Sequence, residues 1–150
     1  MLYVIVWDVD ETLIVMKNNS LIYERPYSRQ VIELLSKIPN VRHVIWSSAE
    51  KSYIRDILHS IKFPKIFCKR IFSRKDCDSS VEMYGIEKHG DVIRRYFKSK
   101  QIILMGIDDL ADHNMKSGYD YTLKISEFKC KDQDFAFVDE VMPFIVKILN

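Results

Sequence analysis

Runs of consecutive apolar residues predict the strands of a sheet that is covered on both faces. Leu2–Trp7, Val41–Trp46 and Gln101–Ile107 are each too short for a helix and rich in branched side chains, as buried strands are. A fourth strand is predicted at Tyr119–Ile125. A turn signal at residues 17–20, before a returning strand, adds a hairpin after the first strand.

Apolar residues at helical spacing predict helices between these strands. Pro26 precedes the first helix, and Pro39 ends it. Pro143 lies inside the last helix, where it should kink or restart the helix. The apolar faces lie at Val31–Ile38, Tyr53–Ile61, Val92–Phe97 and Phe135–Ile148. Strands that alternate with helices predict an α/β fold with a mainly parallel sheet between helices, and 150 residues fit a single domain over residues 1–150.

The composition of the chain limits which binding partners and which cellular compartment are expected. The net charge of +2, from 23 basic and 21 acidic residues, does not favour nucleic-acid or membrane binding. The basic run Lys62–Lys75 is either a solvated face or a positive rim for an anionic substrate, and it keeps nucleic acid open as a partner. Three cysteines without a close pair predict neither a disulfide framework nor a zinc site. Without a membrane-length apolar run or a signal peptide, the chain is expected to be soluble and intracellular, cytoplasmic or nuclear.

Polar pairs follow three of the predicted strands. They are Asp8 with Asp10, Ser47 with Ser48, and Asp108 with Asp109. In parallel sheets, ligands bind just beyond the carboxyl ends of the strands, so these side chains are expected to meet. Two carboxylates held close repel each other, and Mg²⁺, which prefers oxygen ligands, removes that conflict. The sequence therefore predicts a magnesium site formed by Asp8, Asp10, Asp108 and Asp109.

This arrangement suits phosphoryl transfer. Asp8 can attack phosphorus and form an aspartyl-phosphate, while Asp10 protonates the leaving group and later activates water. Ser47 is predicted to bind the phosphoryl group, although it could instead cap the next helix. Lys88 is the candidate cation, with Lys69 and Arg94 as rivals. Thr12 is predicted to hold the turn around the two aspartates and to belong to the substrate-binding set.

The residues resemble the motifs of the haloacid dehalogenase (HAD) superfamily of phosphotransferases. Asp8–Leu13 resembles the first motif, D-x-D-x-T, and Val44–Ser47 resembles the second, a hydrophobic strand ending in Ser or Thr. Lys88 lies where the third-motif lysine is expected. Ile103–Asp109 resembles the fourth motif.

A narrower resemblance points to the FCP/SCP-type phosphatases that act on the C-terminal domain of RNA polymerase II. It rests on the D-x-D-E-T-L form of Asp8–Leu13, on Arg25-Pro26-Tyr27, on Ile71–Arg74 with Cys77, and on Met142–Phe144. It implies a Rossmann-like HAD core without a large cap and a small β-rich insert at about residues 62–87. It also implies dependence on Mg²⁺ and hydrolysis of phosphoserine or phosphothreonine.

The resemblance also implies site roles. Asp8 would be the nucleophile and Asp10 the general acid and base, with the carbonyl of Asp10 on the metal. Ser47 and Lys88 would bind phosphate. Asp109 stands where this family commonly has Asn, which adds negative charge near the metal.

The function expected from the sequence is that of a magnesium-dependent protein phosphatase for phosphoserine or phosphothreonine in a protein or peptide. The segment Ile14–Glu24 is shorter than its counterpart in that family, which leaves the substrate open. The alternatives are a phosphatase of nucleic-acid ends or small phosphorylated metabolites, and a catalytically inactive binding module of the same fold. The oligomeric state is not determined by the sequence.

Overall fold

A five-stranded parallel sheet forms the centre of the computed structural model, which describes residues 1–18, 20–98, 101–130 and 133–150. The order of its strands is β5-β4-β1-β6-β7, and a separate antiparallel hairpin pairs β2 with β3. The strands are β1 (Leu2–Trp7), β2 (Ile14–Lys17), β3 (Leu21–Glu24), β4 (Val41–Trp46), β5 (Arg70–Phe72), β6 (Ile102–Asp108) and β7 (Tyr121–Lys124).

Helices cover both faces of this sheet. They are α1 (Ser28–Ser36), α2 (Lys51–Ser60), α3 (Arg74–Tyr84), α4 (Gly90–Tyr96), α5 (Ala111–Asn114) and α6 (Met142–Leu149). A π-helical segment, Phe137–Val141, leads into α6, and a 3₁₀ turn lies at Lys65–Phe67. Among the described residues, no helix combines the length and the apolar character that a membrane crossing requires.

The alternation of side chains along the strands divides the core into two layers. Trp7 is fully buried in the layer that contains α1, α2 and α6, whereas Trp46 is fully buried in the opposite layer, with residues of α3 and α4. Because β1 and β4 are covered on both faces, their sequences are continuous apolar runs rather than alternating ones. The predicted α/β fold with a mainly parallel sheet is confirmed.

Most of the predicted elements are present, with shifted ends. The fourth strand is shorter than predicted, since only Tyr121–Lys124 pairs with β6. Pro143 lies in the first turn of α6, directly after the π-helical segment, so the last helix restarts there, where a missing N–H is tolerated. The predicted turn at 17–20 includes residue 19, which lies outside the described residues.

The segment at residues 62–87, for which a small β-rich insert is predicted, contains more helix than strand. This segment contributes one short strand, β5, which joins the main sheet, and the eleven-residue helix α3. The small antiparallel sheet is instead the β2–β3 hairpin. The sequence pattern missed α3 because only Cys77 and Ser80 of this helix are buried. A local signal was present, since the Asp76 carboxylate accepts the Ser73 N–H at 2.8 Å and caps the helix.

Strand register brings the polar strand ends to one edge. Trp7 of β1 aligns with Ile45 of β4 and with Ile107 of β6. Asp8, Ser47 and Asp108 therefore leave three adjacent strands at the same edge. The chain goes from β1 to β4 and β5 on one side, and to β6 and β7 on the other. That reversal is a topological switch point, where ligands bind in open α/β sheets.

Candidate active site

A buried lysine bridges two buried aspartates at this edge. Nζ of Lys88 donates to Oδ1 of Asp8 and to Oδ2 of Asp108, both at 2.8 Å. Lys88 is only 1 % exposed, and Asp8 and Asp108 are 7 % and 1 % exposed. The three charges are thus withdrawn from water and balance one another in part.

Burial and charge act in opposite directions on these groups. Burial raises the pKa of Asp8, and the Lys88 ammonium offsets only part of that rise. Burial would also raise the pKa of Asp108, but Lys88 and the N–H of Leu110, 2.8 Å from Oδ1, lower it below its ordinary value. Burial alone would lower the pKa of Lys88, yet the two carboxylates raise it. Lys88 and Asp108 are therefore charged at neutral pH.

Thr12 connects Asp8, after β1, with Asp109, after β6. Its fully buried hydroxyl donates to Oδ2 of Asp8 at 2.9 Å and accepts the Asp109 N–H at 3.2 Å. Because both functions of the hydroxyl are used within the protein, the geometry favours a positioning role for Thr12. Its predicted place in the substrate-binding set stays a prediction.

Three carboxylates converge close enough to share a cation. One oxygen each from Asp8, Asp108 and Asp109 lies within 4.8 Å of the other two. Burial, together with Asp8 and Asp108, raises the pKa of Asp109 to about 8, because another negative charge is unfavourable beside two carboxylates. Within the described residues, the side chain of Asp10 is not part of this cluster. Its predicted contact with the metal through its carbonyl stays a prediction.

Asp10 lies on the loop that leaves β1. It is half-buried and forms an isolated bridge with Ile14. Burial raises the pKa of Asp10, and Lys88 opposes this rise. The next residue, Glu11, has a φ of 61°, a left-handed conformation that turns the loop at once into the hairpin. Asp10 therefore lies two residues after Asp8 in the chain, and its side chain is still partly exposed to solvent.

Ser47 is buried at the end of β4, with 1 % of its surface exposed. Its oxygen accepts the N–H of Ala49 at 3.1 Å, whereas Glu50 occupies the N-cap position of α2. Because the hydroxyl acts as an acceptor there, its proton remains able to donate to a ligand. This geometry is compatible with the predicted phosphate-binding role.

The structure distinguishes Lys88 from its two rivals. Arg94, on α4, forms an ion pair with Asp120 at 2.8 Å and donates a hydrogen bond to the Gly118 carbonyl. Lys69 precedes β5, at the opposite end of that strand from the polar edge. Lys88 alone of the three contacts Asp8 and Asp108.

One family profile, described as NLI interacting factor-like phosphatase, matches residues 3–150. The chain belongs to this phosphatase family. Membership confirms the predicted relationship to the FCP-type enzymes of the HAD superfamily and the predicted enzyme class, an aspartate-based phosphatase. No curated protein sequence matches the chain.

Solved structures share the fold of this family member. The fission yeast RNA polymerase II CTD phosphatase Fcp1, bound to beryllium fluoride, has a TM-score of 0.57 and 19% identity, over 85% of this chain and 42% of its own. Another Fcp1 structure has a TM-score of 0.58 and 19% identity, over 99% of this chain and 48% of its own. An uncharacterized protein from Listeria monocytogenes serotype 4b has a TM-score of 0.61 and 14% identity, over 98% of this chain and 99% of its own. The chain thus spans less than half of each Fcp1 chain.

Ser80 is a site-supporting residue of this NLI interacting factor-like phosphatase domain that the sequence did not reveal. Its fully buried hydroxyl donates to the Ile86 carbonyl at 2.6 Å and accepts the His89 N–H at 2.9 Å. These two bonds bracket Lys88 and fix the backbone from which its side chain extends. The only sequence signal for Ser80 is its place on the capped helix α3.

Arg25 supports the other side of the site. This buried guanidinium donates to the Thr12 carbonyl at 3.3 Å, to the Ser126 carbonyl, and to Asp134 at 2.9 Å. It therefore ties the loop after β1 to the segment that follows β7. In the sequence, Arg25 is recognisable only as part of the segment Arg25-Pro26-Tyr27 that resembles the family, and its buried contacts are not predicted.

Proposed function

We propose that this chain is a Mg²⁺-dependent phosphomonoester hydrolase that works through an aspartyl-phosphate on Asp8 and acts on phosphoserine or phosphothreonine in proteins. The observation that carries the proposal is the buried cluster in which Asp8, Asp108 and Asp109 converge around Lys88. The cluster lies at the switch point of a sheet in a chain of a phosphatase family.

The residues of this cluster fit Mg²⁺. When all three carboxylates are ionised, they and the single ammonium leave a surplus of about two negative charges, which a divalent cation would balance. All the available donors of the three aspartates are oxygens, the ligand type that Mg²⁺ prefers. Bound there, Mg²⁺ would neutralise phosphoryl oxygens and hold them in line for displacement.

Asp8 is the proposed nucleophile. Lys88 and Thr12 each hold one of its oxygens, so the carboxylate is oriented before a substrate arrives. One oxygen of Asp8 attacks phosphorus, a new O–P bond forms, and the bond from phosphorus to the ester oxygen breaks. The product of this first step is an aspartyl-phosphate and the free alcohol of the serine or threonine.

Asp10 is the proposed general acid and base. Because burial raises its pKa, Asp10 retains a proton more readily than an exposed carboxyl group and can give it to the leaving alkoxide. Asp10 then takes a proton from water, which attacks the aspartyl-phosphate and releases inorganic phosphate. The two steps return Asp8 and Asp10 to their starting states.

Lys88 and Ser47 are proposed to bind the phosphoryl group. Lys88 is already charged and held in place by two carboxylates, so its ammonium needs no reorganisation when charge develops. The Ser47 hydroxyl can donate at the neighbouring strand end. Support for a protein substrate comes from the family and from Fcp1, described as an RNA polymerase II CTD phosphatase. The chain segments that follow β1, β4, β5 and β6 at this edge are the β2–β3 hairpin and the loops into α2, α3 and α5, an arrangement that suits a macromolecular substrate.

The first experiment tests the covalent step. Asp8→Asn should abolish hydrolysis of an aryl phosphate, whereas Asp78→Asn, on the exposed side of α3, should not change it. Incubation of the wild-type protein with a labelled phosphopeptide and Mg²⁺, followed by acid quenching, should leave label on the tryptic peptide that contains Asp8. Hydroxylamine should remove that label, and EDTA should prevent it from forming. Full activity of Asp8→Asn would refute the mechanism.

The second experiment tests the substrate class. Phosphoserine and phosphothreonine peptides, phosphotyrosine peptides, 3′-phosphorylated oligonucleotides and sugar phosphates are compared by kcat/KM under the same conditions. We expect the phosphoserine and phosphothreonine peptides to be the best substrates. Turnover of only the sugar phosphates or the oligonucleotides would refute the protein-phosphatase proposal while leaving the chemistry at Asp8 intact.

A further inference from the structure

A groove of about 1020 Å³ runs beside α2 and the edge strand β5. One wall is the exposed face of α2, and the other is the segment that leads into β5. Its polar lining is mostly basic and consists of Lys51, Arg55, Asp56, His59, Lys62, Lys65, Lys69 and Arg70. We refer to this feature as the basic groove.

Positive charge is concentrated in the basic groove. Six lysines and arginines line it against one carboxylate, Asp56, in a chain whose total charge is only +2. Arg70 forms a long ion pair of 3.9 Å with Asp76. In the described part of the chain, the other five form no ion pair with a carboxylate. A concave surface with one sign of charge attracts ligands of the opposite sign.

The spacing of the cations follows the helix. Lys51 and Arg55 are one helical turn apart on α2, and Lys62 follows just past the end of this helix. From Lys51 to Ser60 the helical rise is about 14 Å, which an extended peptide spans with about four residues. The opposite wall includes β5, an edge strand of the sheet, beside which an extended chain can lie.

The basic groove begins beside the candidate active site. Lys51 opens α2 shortly after Ser47, and the side chain of Tyr53 in the same turn lies 3.9 Å from Sδ of Met16 in the hairpin. That hairpin follows Asp10 directly. A chain whose phosphorylated residue reached Asp8 would therefore have the basic groove next to it.

We propose that the basic groove binds an acidic segment of the phosphoprotein substrate while the phosphorylated residue occupies the site at Asp8. A peptide fits better than a nucleic acid, because single strands bind by stacking bases on exposed aromatic rings. The only phenyl ring in the described lining, that of Phe63, is half-buried and packs edge-on against Phe67, and the only other aromatic ring there is the imidazole of His59. This proposal rests on the proposed function and defines the class of its substrate.

The test compares two phosphoserine peptides that differ only in a flanking run of glutamates or glutamines. Their kcat and KM are measured for the wild-type protein, for Lys51→Glu/Arg55→Glu, and for the control Lys116→Glu/Lys147→Glu. The control makes the same change in net charge at exposed lysines outside the basic groove. An aryl phosphate reports the chemical step alone.

We expect the wild-type protein to prefer the glutamate peptide through a lower KM, and this preference to weaken as salt is added. The groove variant should raise the KM of that peptide by about tenfold, the order expected when two charge contacts are reversed. Its kcat for the aryl phosphate and its KM for the glutamine peptide should stay within about twofold. The control should behave as the wild-type protein does.

The outcomes separate the two proposals. If the glutamine peptide and the aryl phosphate are hydrolysed but glutamates give no advantage, the groove proposal is wrong and the phosphatase proposal stands. The same holds if the control variant loses the preference as strongly as the groove variant. If a single-stranded oligonucleotide competes better than the unphosphorylated glutamate peptide, and only when the groove is intact, the groove binds nucleic acid instead. If no phosphate ester is hydrolysed, the proposed function itself fails.

Discussion

Nζ of Lys88 lies 2.8 Å from Oδ1 of Asp8, although 80 positions separate the two residues in the chain. Burial raises the pKa of Asp8, and Lys88 counters that rise by stabilising the carboxylate form. The ammonium also contacts Asp108 at the same distance. Lys88 thus keeps two buried carboxylates together at a place where they would otherwise repel each other.

Replacing Lys88 with methionine should uncouple activity from metal binding. We expect kcat for an aryl phosphate to fall by at least about 100-fold, because a preorganised cation at the phosphoryl group is lost. The free energy of unfolding in urea should decrease by about 3–5 kcal/mol without Mg²⁺, since Asp8 and Asp108 remain buried without their partner. Calorimetry should show tighter Mg²⁺ binding, because a repelling charge is gone.

The control for Lys88→Met is Lys147→Met on the exposed side of α6, which should leave all three quantities unchanged. Weaker Mg²⁺ binding by a folded Lys88→Met protein would contradict the proposal that Lys88 and Mg²⁺ share the same carboxylates.

Asp10→Asn should affect substrates according to their leaving groups. A serine alkoxide needs a proton to depart, whereas a nitrophenolate does not. We therefore expect kcat/KM for phosphoserine peptides to fall by about 100-fold or more, and the first step with p-nitrophenyl phosphate, followed as a burst of phenolate, to fall much less. Equal losses with both substrates would remove Asp10 from the role of acid.

Ser80→Ala tests the support of Lys88. The substitution leaves the Ile86 carbonyl and the His89 N–H without their shared partner, which should cost about 1–3 kcal/mol of unfolding free energy. Because Lys88 lies between these two residues, kcat should also fall, by about tenfold, at protein concentrations and temperatures where the variant is folded.

Ser79→Ala is the matched control, since Ser79 is exposed and its hydroxyl, within the described residues, hydrogen-bonds only to the Lys75 carbonyl of its own helix. Ser80→Thr retains the hydroxyl and should restore kcat. If Ser80→Ala lowers stability while kcat is unchanged, then Ser80 supports the fold without positioning Lys88.

His43 should make the stability depend on pH. Its Nδ1 accepts the Trp7 Nε1–H at 2.9 Å, and burial lowers the pKa of His43 from 6.5 to about 4. Between these values the unfolded chain binds a proton that the folded protein does not. The free energy of unfolding should therefore fall as the pH is lowered from 6.5 to 4, by up to about 3 kcal/mol from this residue.

Urea unfolding at several pH values checks this prediction. In His43→Gln, which can still accept the hydrogen bond from Trp7, stability should fall less steeply over that range than in the wild-type protein. His59→Gln, on the exposed side of α2, should keep the wild-type slope. Identical slopes for all three proteins would show that His43 does not contribute.

The sequence by itself determined the parallel sheet and its polar edge. Leu2–Trp7 and Val41–Trp46 are continuous apolar runs, because strands covered on both faces have no solvent side. The acidic residues at 8, 10, 108 and 109 follow directly from the ends of such strands. Fold class and the position of the site could therefore be predicted from local patterns alone.

Other features were decided only by the tertiary structure. Helix α3 has a weak apolar pattern, and its position depends on packing against the sheet, so the sequence does not predict this helix within residues 62–87. The sequence favours Lys88 over Lys69 and Arg94, but only the tertiary structure shows that Lys88 is the one of the three that contacts Asp8 and Asp108. The roles of Ser80 and Arg25 likewise arise from contacts between distant segments. A single sequence does not encode such contacts in its local periodicity, because they are fixed by how the whole chain packs.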